Sequence, residues 1–112
     1  MKSIIRQIDD HGLIYPCLAF MCPGCVLSST GLHMLPVNTE VKKPAWQWNE
    51  NTEYPTLSPS ILSKFRFEGL DFICHSFLSD GVFKFLDDCT HELKGQSIIM
   101  PDLPDWFIEE RS

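Results

Sequence analysis

Residues Asp71–His91 read DFICHSFLSDGVFKFLDDCTH, the pattern of a β-hairpin. Phe72, Ile73, Phe77 and Leu78 form one apolar run, and Val82, Phe83, Phe85 and Leu86 form a second. Between them lies Ser79-Asp80-Gly81. Asp-Gly between strand-like runs is a hairpin signal, because glycine accepts the positive φ of a tight turn. The first run carries Cys74-His75, and the segment after the second carries Cys89-Thr90-His91. On a strand, adjacent side chains point to opposite faces, so Cys74 and His75 are expected to serve different neighbourhoods.

Outward from the hairpin, the chain reads as many short strands punctuated by Pro and Gly. Lys2–Gln7 and Leu13–Met21 are strand-like, separated by a polar turn at Asp9–Gly12. The second ends on Cys22-Pro23-Gly24-Cys25, a tight knuckle. After a loop at Ser28–Gly31, Leu32–Val37 reads as a return strand carrying His33. Trp46-Gln47-Trp48 alternates like a short strand. In Tyr54–Leu62, Pro55 and Pro59 forbid a helix and a central ladder strand, leaving a stiff extended segment that presents Ser58 and Ser60. Ser63–Gly69 reads as a strand and turn, and Ser97–Met100 as a last strand. In the acidic tail, Trp106, Phe107 and Ile108 are expected to cover the core. The expected fold is mainly β, a small single-domain barrel or compact sandwich of short antiparallel strands spanning residues 1–112.

A chain of 112 residues with 44% hydrophobic composition builds a real but small core, which often needs a metal or disulfide staple. A net charge of −6 argues against nucleic-acid binding through phosphate contacts and against docking on an anionic membrane. No run approaches the length of a membrane span, and the first residues lack the apolar core of a secretory signal. A cytoplasmic setting follows as an expectation. The five cysteines then read as thiols or ligands, and their odd number excludes complete internal pairing.

Cys-x-x-Cys offers two thiolates on one turn of backbone, a corner of a tetrahedral metal site. His33, Cys74, His75, Cys89 and His91 are candidates to complete it. The preferred set is Cys22, Cys25 and Cys74 with His33 as the fourth ligand, holding a structural zinc. No βαβ pattern supports a redox reading of the pair. Cys17, on an apolar strand, reads as a core thiol.

A serine needs a base to become a nucleophile, and a histidine within hydrogen-bond reach is the usual one. Ser58 or Ser60 with His75 would make such a pair, and spacing does not choose between the serines. Asp80, Asp88 or His91 could orient or assist His75, and Asp80 in the hairpin turn is taken as the expected carboxylate.

These residues together resemble a family of small bacterial and phage proteins without an assigned function, whose phage members often carry the label ammonia monooxygenase. The resemblance rests on Cys22–Cys25 with Leu32–Pro36, on Trp46–Asn49, on Pro55–Ile61, on Cys74–Phe77 with Asp80-Gly81, and on Asp88–Leu93 leading to Pro101. Other branches look like partners of bacterial ubiquitin-like conjugation operons, where a peptidase role is suspected. The resemblance favours Ser60 over Ser58 as nucleophile, with His75 as base, and supports zinc at the Cys-Pro knuckle. It treats Asp88–His91 as a feature of the phage-type branch. It implies a zinc-stabilised serine hydrolase acting on a protein, such as the C-terminus of a ubiquitin-like protein. The competing readings are a non-catalytic zinc-ribbon-like binding module and a hydrolase with catalytic zinc.

Overall fold

The computed structural model describes residues 1–25 and 31–109. The loop expected at Ser28–Thr30 and the side chain of Ile108 lie outside what is described. Two antiparallel sheets make up the fold. The first orders its strands β1-β2-β3, with β1 at Ser3–Asp10, β2 at Leu13–Met21 and β3 at Leu32–Pro36. The second contains β4 (Gln47–Trp48), β5 (Leu57–Phe67), β6 (Leu70–Ser79), β7 (Val82–Phe85) and β8 (Ser97–Ile99), side by side in that order. A short helix, α1, follows at Asp105–Glu109. The sheets do not close into a barrel, so of the two expected mainly-β forms the barrel is set aside.

The expected central hairpin is β6–β7. Ser79 pairs with Val82, and the two residues between them, Asp80 and Gly81, have φ of 49° and 76°. Two consecutive positive φ values define the turn whose twist matches that of the flanking strands, and glycine at the second position adopts it without strain. The turns joining β1 to β2 and β5 to β6 repeat the device at His11-Gly12 and Glu68-Gly69.

The core lies between the sheets. Leu18 and Phe20 of β2, with Val37, meet Leu57, Leu78, Phe83, Phe85 and Met100 from the other side. A smaller cluster of Ala19, Leu103 and Phe107 closes the outer side of β2. Phe107 therefore covers core as expected, whereas Trp106 is 57% exposed and does not.

One expectation about the backbone is corrected. The two-proline segment is extended, yet Pro59 stands inside β5, paired by β4 on one side and β6 on the other. The strand tolerates it through an irregularity. Leu57 pairs with Leu78, but the next pair is Ile61 with Ser76, so Ser58, Pro59 and Ser60 together face Phe77 alone. Bulges of this kind are where sheets accept proline and re-aim side chains.

Candidate active site and metal centre

Strict alternation along β6 divides the site in two. Cys74, Ser76 and Leu78 are buried on the inner face, while His75 is part-exposed and Phe77 exposed on the outer one. The bulge in β5 turns Ser60 toward that outer face. Ser60 Oγ lies 2.9 Å from His75 Nε2. The Ser60 carbonyl accepts a hydrogen bond from Trp46 Nε1 at 3.2 Å, which ties the bulge to the chain just before β4.

His75 Nδ1 lies 3.0 Å from Asp88 Oδ2 and 3.3 Å from Asp88 Oδ1. A carboxylate has no proton to give, so Nδ1 carries the hydrogen and donates it. Nε2 is then left with its lone pair facing the Ser60 hydroxyl, the tautomer a general base requires. Ser60, His75 and Asp88 thus form a continuous Ser–His–Asp relay.

The carboxylate at His75 is Asp88 and not Asp80. Asp80 occupies the hairpin turn, where its backbone N–H donates to Thr56 Oγ1 at 2.9 Å. Asp80 lies five positions beyond His75, about 16 Å at 3.3 Å per residue. Ser58 is exposed and lines a cleft of about 550 Å³ with Trp46, Gln47, Pro59 and Lys43, on the β4 side of Ser60.

Asp88 is delivered by the segment after β7, which docks on the edge of β6. Leu86 N–H donates to the His75 carbonyl at 2.9 Å and Thr90 N–H to the Ile73 carbonyl at 3.0 Å. Ile73 N–H in turn donates to Thr90 Oγ1 at 2.9 Å. The buried Cys89 thiol accepts from His75 N–H and donates to the His75 carbonyl, both at 3.2 Å. Both backbone polar groups of His75 are therefore held by the residues that flank Asp88.

On the inner face of β6, Cys74 meets the knuckle. Cys74 Sγ lies 3.7 Å from Cys22 Sγ. The ligand atoms of Cys22, Cys25 and His33 all lie within 4.8 Å of one another, with His33 Nε2 3.3 Å from Cys25 Sγ. The His33 ring stacks on Phe20 at 5.4 Å between centroids. All five cysteines are free thiols, and Cys17 is a buried core thiol whose pKa burial raises.

These donors fit a metal ion. Zinc bound tetrahedrally at about 2.3 Å from each sulfur separates two sulfurs by about 3.8 Å, close to the Cys22–Cys74 spacing. The thiols also show the strain of sharing negative charge. Hydrogen bonds from Cys22 and Cys74, opposed by burial and aided by Ser63, hold Cys25 down at about 3. Cys74 is pushed up, first by its hydrogen bonding to Cys22 and Cys25, then by burial and by repulsion from both. Cys25 thus forms its thiolate readily while Cys74 holds its proton, and a bound cation would favour the thiolate of both. Cys22, Cys25, Cys74 and His33 could supply that cation with four ligands.

His91, 8% exposed, packs against the same cluster, with Nε2 3.3 Å from Cys74 Sγ. Burial pushes its imidazole below the ordinary histidine pKa. Its ring sits directly on the knuckle: a Cβ at Gly24 would come within 2.6 Å of His91 Nε2 and 2.9 Å of Phe85 Cε1. Glycine is required there because two rings occupy the space of a side chain.

Geometry thus defines a small two-sheet β protein with a Ser–His–Asp relay on one face of a strand and a thiol–imidazole cluster on the other. The family model of the bacterial ubiquitination-like system serine protease (BubE) matches residues 2–86, and the chain belongs to that family. Ser60, His75 and the four candidate ligands lie within the matched residues, whereas Asp88 and His91 lie beyond them. Comparison with curated proteins and with solved structures gives no match.

Proposed function

We propose that the chain is a serine peptidase of a bacterial ubiquitination-like system, with Ser60 as nucleophile and His75 as general base. The observation that carries this reading is the unbroken relay from Ser60 Oγ to His75 Nε2 at 2.9 Å and from His75 Nδ1 to Asp88 at 3.0 Å. Ser60 Oγ attacks the scissile carbonyl while its proton passes to His75 Nε2. The imidazolium, steadied by Asp88, then gives that proton to the leaving amine. Water, deprotonated by the same nitrogen, cleaves the Ser60 ester and restores the hydroxyl.

The leaving amine must approach His75, so it departs over β6. The acyl part then lies on the opposite flank, where the cleft beside Ser58 and Trp46 opens. Exposed Leu62 and Phe77 frame the relay with apolar surface on the same sheet, which suits a protein partner. The family's description names a ubiquitination-like system, and the C-terminal region of a ubiquitin-like protein is the substrate we favour. Zinc held by Cys22, Cys25, Cys74 and His33 would be structural. With four protein ligands a metal there would have no open position for water, and Cys74 and His75 project to opposite faces of β6, so it would frame the active site rather than activate water. Reduced thiols of this kind fit a cytoplasmic setting.

A fluorophosphonate probe tests the reading. Wild-type protein should be labelled at Ser60, and the Ser60→Ala variant spared. A wild-type protein that resists labelling while folded and metal-loaded would sink the peptidase reading in favour of a binding module.

A further inference from the structure

Residues 88 to 91 touch both halves of the site in succession. Asp88 meets the His75 ring, Cys89 the His75 backbone, Thr90 the Ile73 backbone and His91 the Cys74 sulfur. The two residues they straddle, Cys74 and His75, are themselves adjacent on β6. Nothing assigned so far gives His91 a role.

The hydrogen bonding of His91 fixes what it does. Leu93 N–H donates to His91 Nδ1 at 3.2 Å, so Nδ1 carries no proton. The ring hydrogen of the neutral imidazole is then on Nε2, the atom 3.3 Å from Cys74 Sγ. An Nε2 that bears hydrogen cannot bind a metal and must donate. His33 has no such restriction at Nε2, which faces Cys25 Sγ. The Phe85 ring meets His91 edge-on at 5.0 Å and 89°, and Gly24 leaves the ring its place, so the imidazole has little freedom to turn.

We propose that His91 is a positioning residue that joins the metal centre to the relay: its Nε2–H donates to the Cys74 sulfur, and the rigid Asp88–His91 segment converts that anchorage into the placement of Asp88 on His75. This rests on the metal and peptidase readings above. When Cys74 carries full thiolate charge under a metal ion, the donated hydrogen bond is strengthened and the end of the segment is fixed. Loss of the metal loosens the same contact and with it the carboxylate that holds the base.

The test uses the full-length, metal-loaded chain. A long-range ¹H–¹⁵N spectrum of ¹⁵N-histidine protein should show His91 with hydrogen on Nε2 and His33 with a metal-bound Nε2. In His91→Phe, native mass spectrometry should still find one metal per chain, with affinity against a competing chelator lowered by about 10- to 100-fold. The downfield Nδ1–H resonance of His75, bonded to Asp88, should weaken, and fluorophosphonate labelling should slow. His91→Gln, which retains an N–H donor, should recover part of each. A metal-bound nitrogen signal at His91, or outright loss of the metal in the Phe variant, would overturn the proposal by making His91 a ligand. Unchanged affinity and an unchanged His75 resonance would overturn it by making His91 mere packing. If His91→Phe does not fold, the wild-type spectrum and the Gln variant still decide. If wild-type Ser60 is never labelled, the peptidase reading fails alone, because the nitrogen spectrum and the His75 resonance do not depend on turnover.

Discussion

His75 Nδ1 and Asp88 Oδ2 are 3.0 Å apart although they stand thirteen positions apart in the chain, and a buried thiol next to Asp88 meets both the N–H and the carbonyl of His75. The Asp88 carboxylate is thus positioned by main-chain docking as well as by its own contact with the ring. Replacing Asp88 with Asn keeps the shape but presents an amide to Nδ1, which no longer enforces the tautomer with a free Nε2. Asp88→Asn should slow acylation of Ser60 by about 10²- to 10⁴-fold. Asp80→Asn, in the turn, should stay within about threefold of wild type. Comparable losses in the two variants, measured as probe-labelling rates, would dissolve the relay as drawn.

Cys89 carries the second prediction. Its thiol both accepts from and donates to His75, at 3.2 Å in each case, from a position 4% exposed. Cys89→Ala leaves the His75 N–H without its sulfur acceptor and should cost about 1–3 kcal/mol in denaturant unfolding. Labelling of Ser60 should slow beyond what the lost stability explains. Cys89→Ser keeps a donor and an acceptor, and should recover most of the rate. Equal rates in the Ala and Ser variants would show that the thiol merely fills space.

The strand hairpin was legible in the chain because Asp80-Gly81 allows one tight turn and the apolar runs on either side fix its register. The pairing of Ser60 with His75 was legible in part: alternation sent His75 away from Cys74, and the stiffness around Pro59 pointed at the serines. Spacing alone left Ser58 and Ser60 equivalent, since the bulge that separates them is a property of the register between β5 and β6. Asp80 looked as good as Asp88 because both are acidic residues near the hairpin. Strand rise argues against Asp80: it lies at the far end of β6 from His75. Asp88 gives no local signal, because it reaches His75 through docking of an irregular segment, and irregular backbone leaves no periodicity. His91 stands out in the sequence as a candidate, but its contact with Cys74 is hidden for the same reason, while its partner Gly24 reads as an ordinary knuckle glycine.

Gly24 yields a stability prediction. A methyl group there meets His91 Nε2 at 2.6 Å, His91 Cε1 at 2.8 Å and Phe85 Cε1 at 2.9 Å. Phe85 is fully buried and cannot yield without disturbing Phe83, stacked on it at 5.9 Å. Gly24→Ala should therefore destabilise the protein by about 1–3 kcal/mol, as overpacking does. Pro23→Ala, on the same knuckle, should cost less. A wild-type unfolding midpoint in the Gly24→Ala variant would mean that the knuckle relaxes freely around His91.

Metal content gives the fourth. With Cys22, Cys25, Cys74 and His33 as ligands, the chain should purify with one zinc, and a strong chelator should lower its thermal midpoint as well as its labelling rate. Cys25→Ser should lose the metal, whereas Cys17→Ser, whose thiol is buried apart from the cluster in β2, should keep it. Elemental analysis of the three proteins distinguishes the cases. Full zinc content in the Cys25→Ser variant would remove that residue from the ligand set.

The cleft lined by Ser58 and Pro59, which precede Ser60 in the chain, gives the last. It is bounded by Trp46, Gln47, Ser58, Pro59 and Lys43, with a volume of about 550 Å³. The outward polar groups of the adjoining edge are already taken: Asn38 donates to the Trp48 carbonyl at 3.1 Å and accepts from Trp48 N–H at 2.8 Å. Trp46 N–H donates to the Pro36 carbonyl, and its own carbonyl accepts from Asn38 N–H, each at 2.9 Å. A peptide therefore cannot add to β4 as a further strand, so on the peptidase reading its acyl side is expected to be held by side chains in the cleft. Ser58→Trp fills that space from an exposed position. It should lower kcat/KM for a peptide substrate by at least about tenfold, chiefly through KM, and slow labelling by a small dialkyl fluorophosphate far less. An equal fall in both would mean that the substitution disturbs the bulge and Ser60 itself; no fall in either would place the acyl side elsewhere on the sheet.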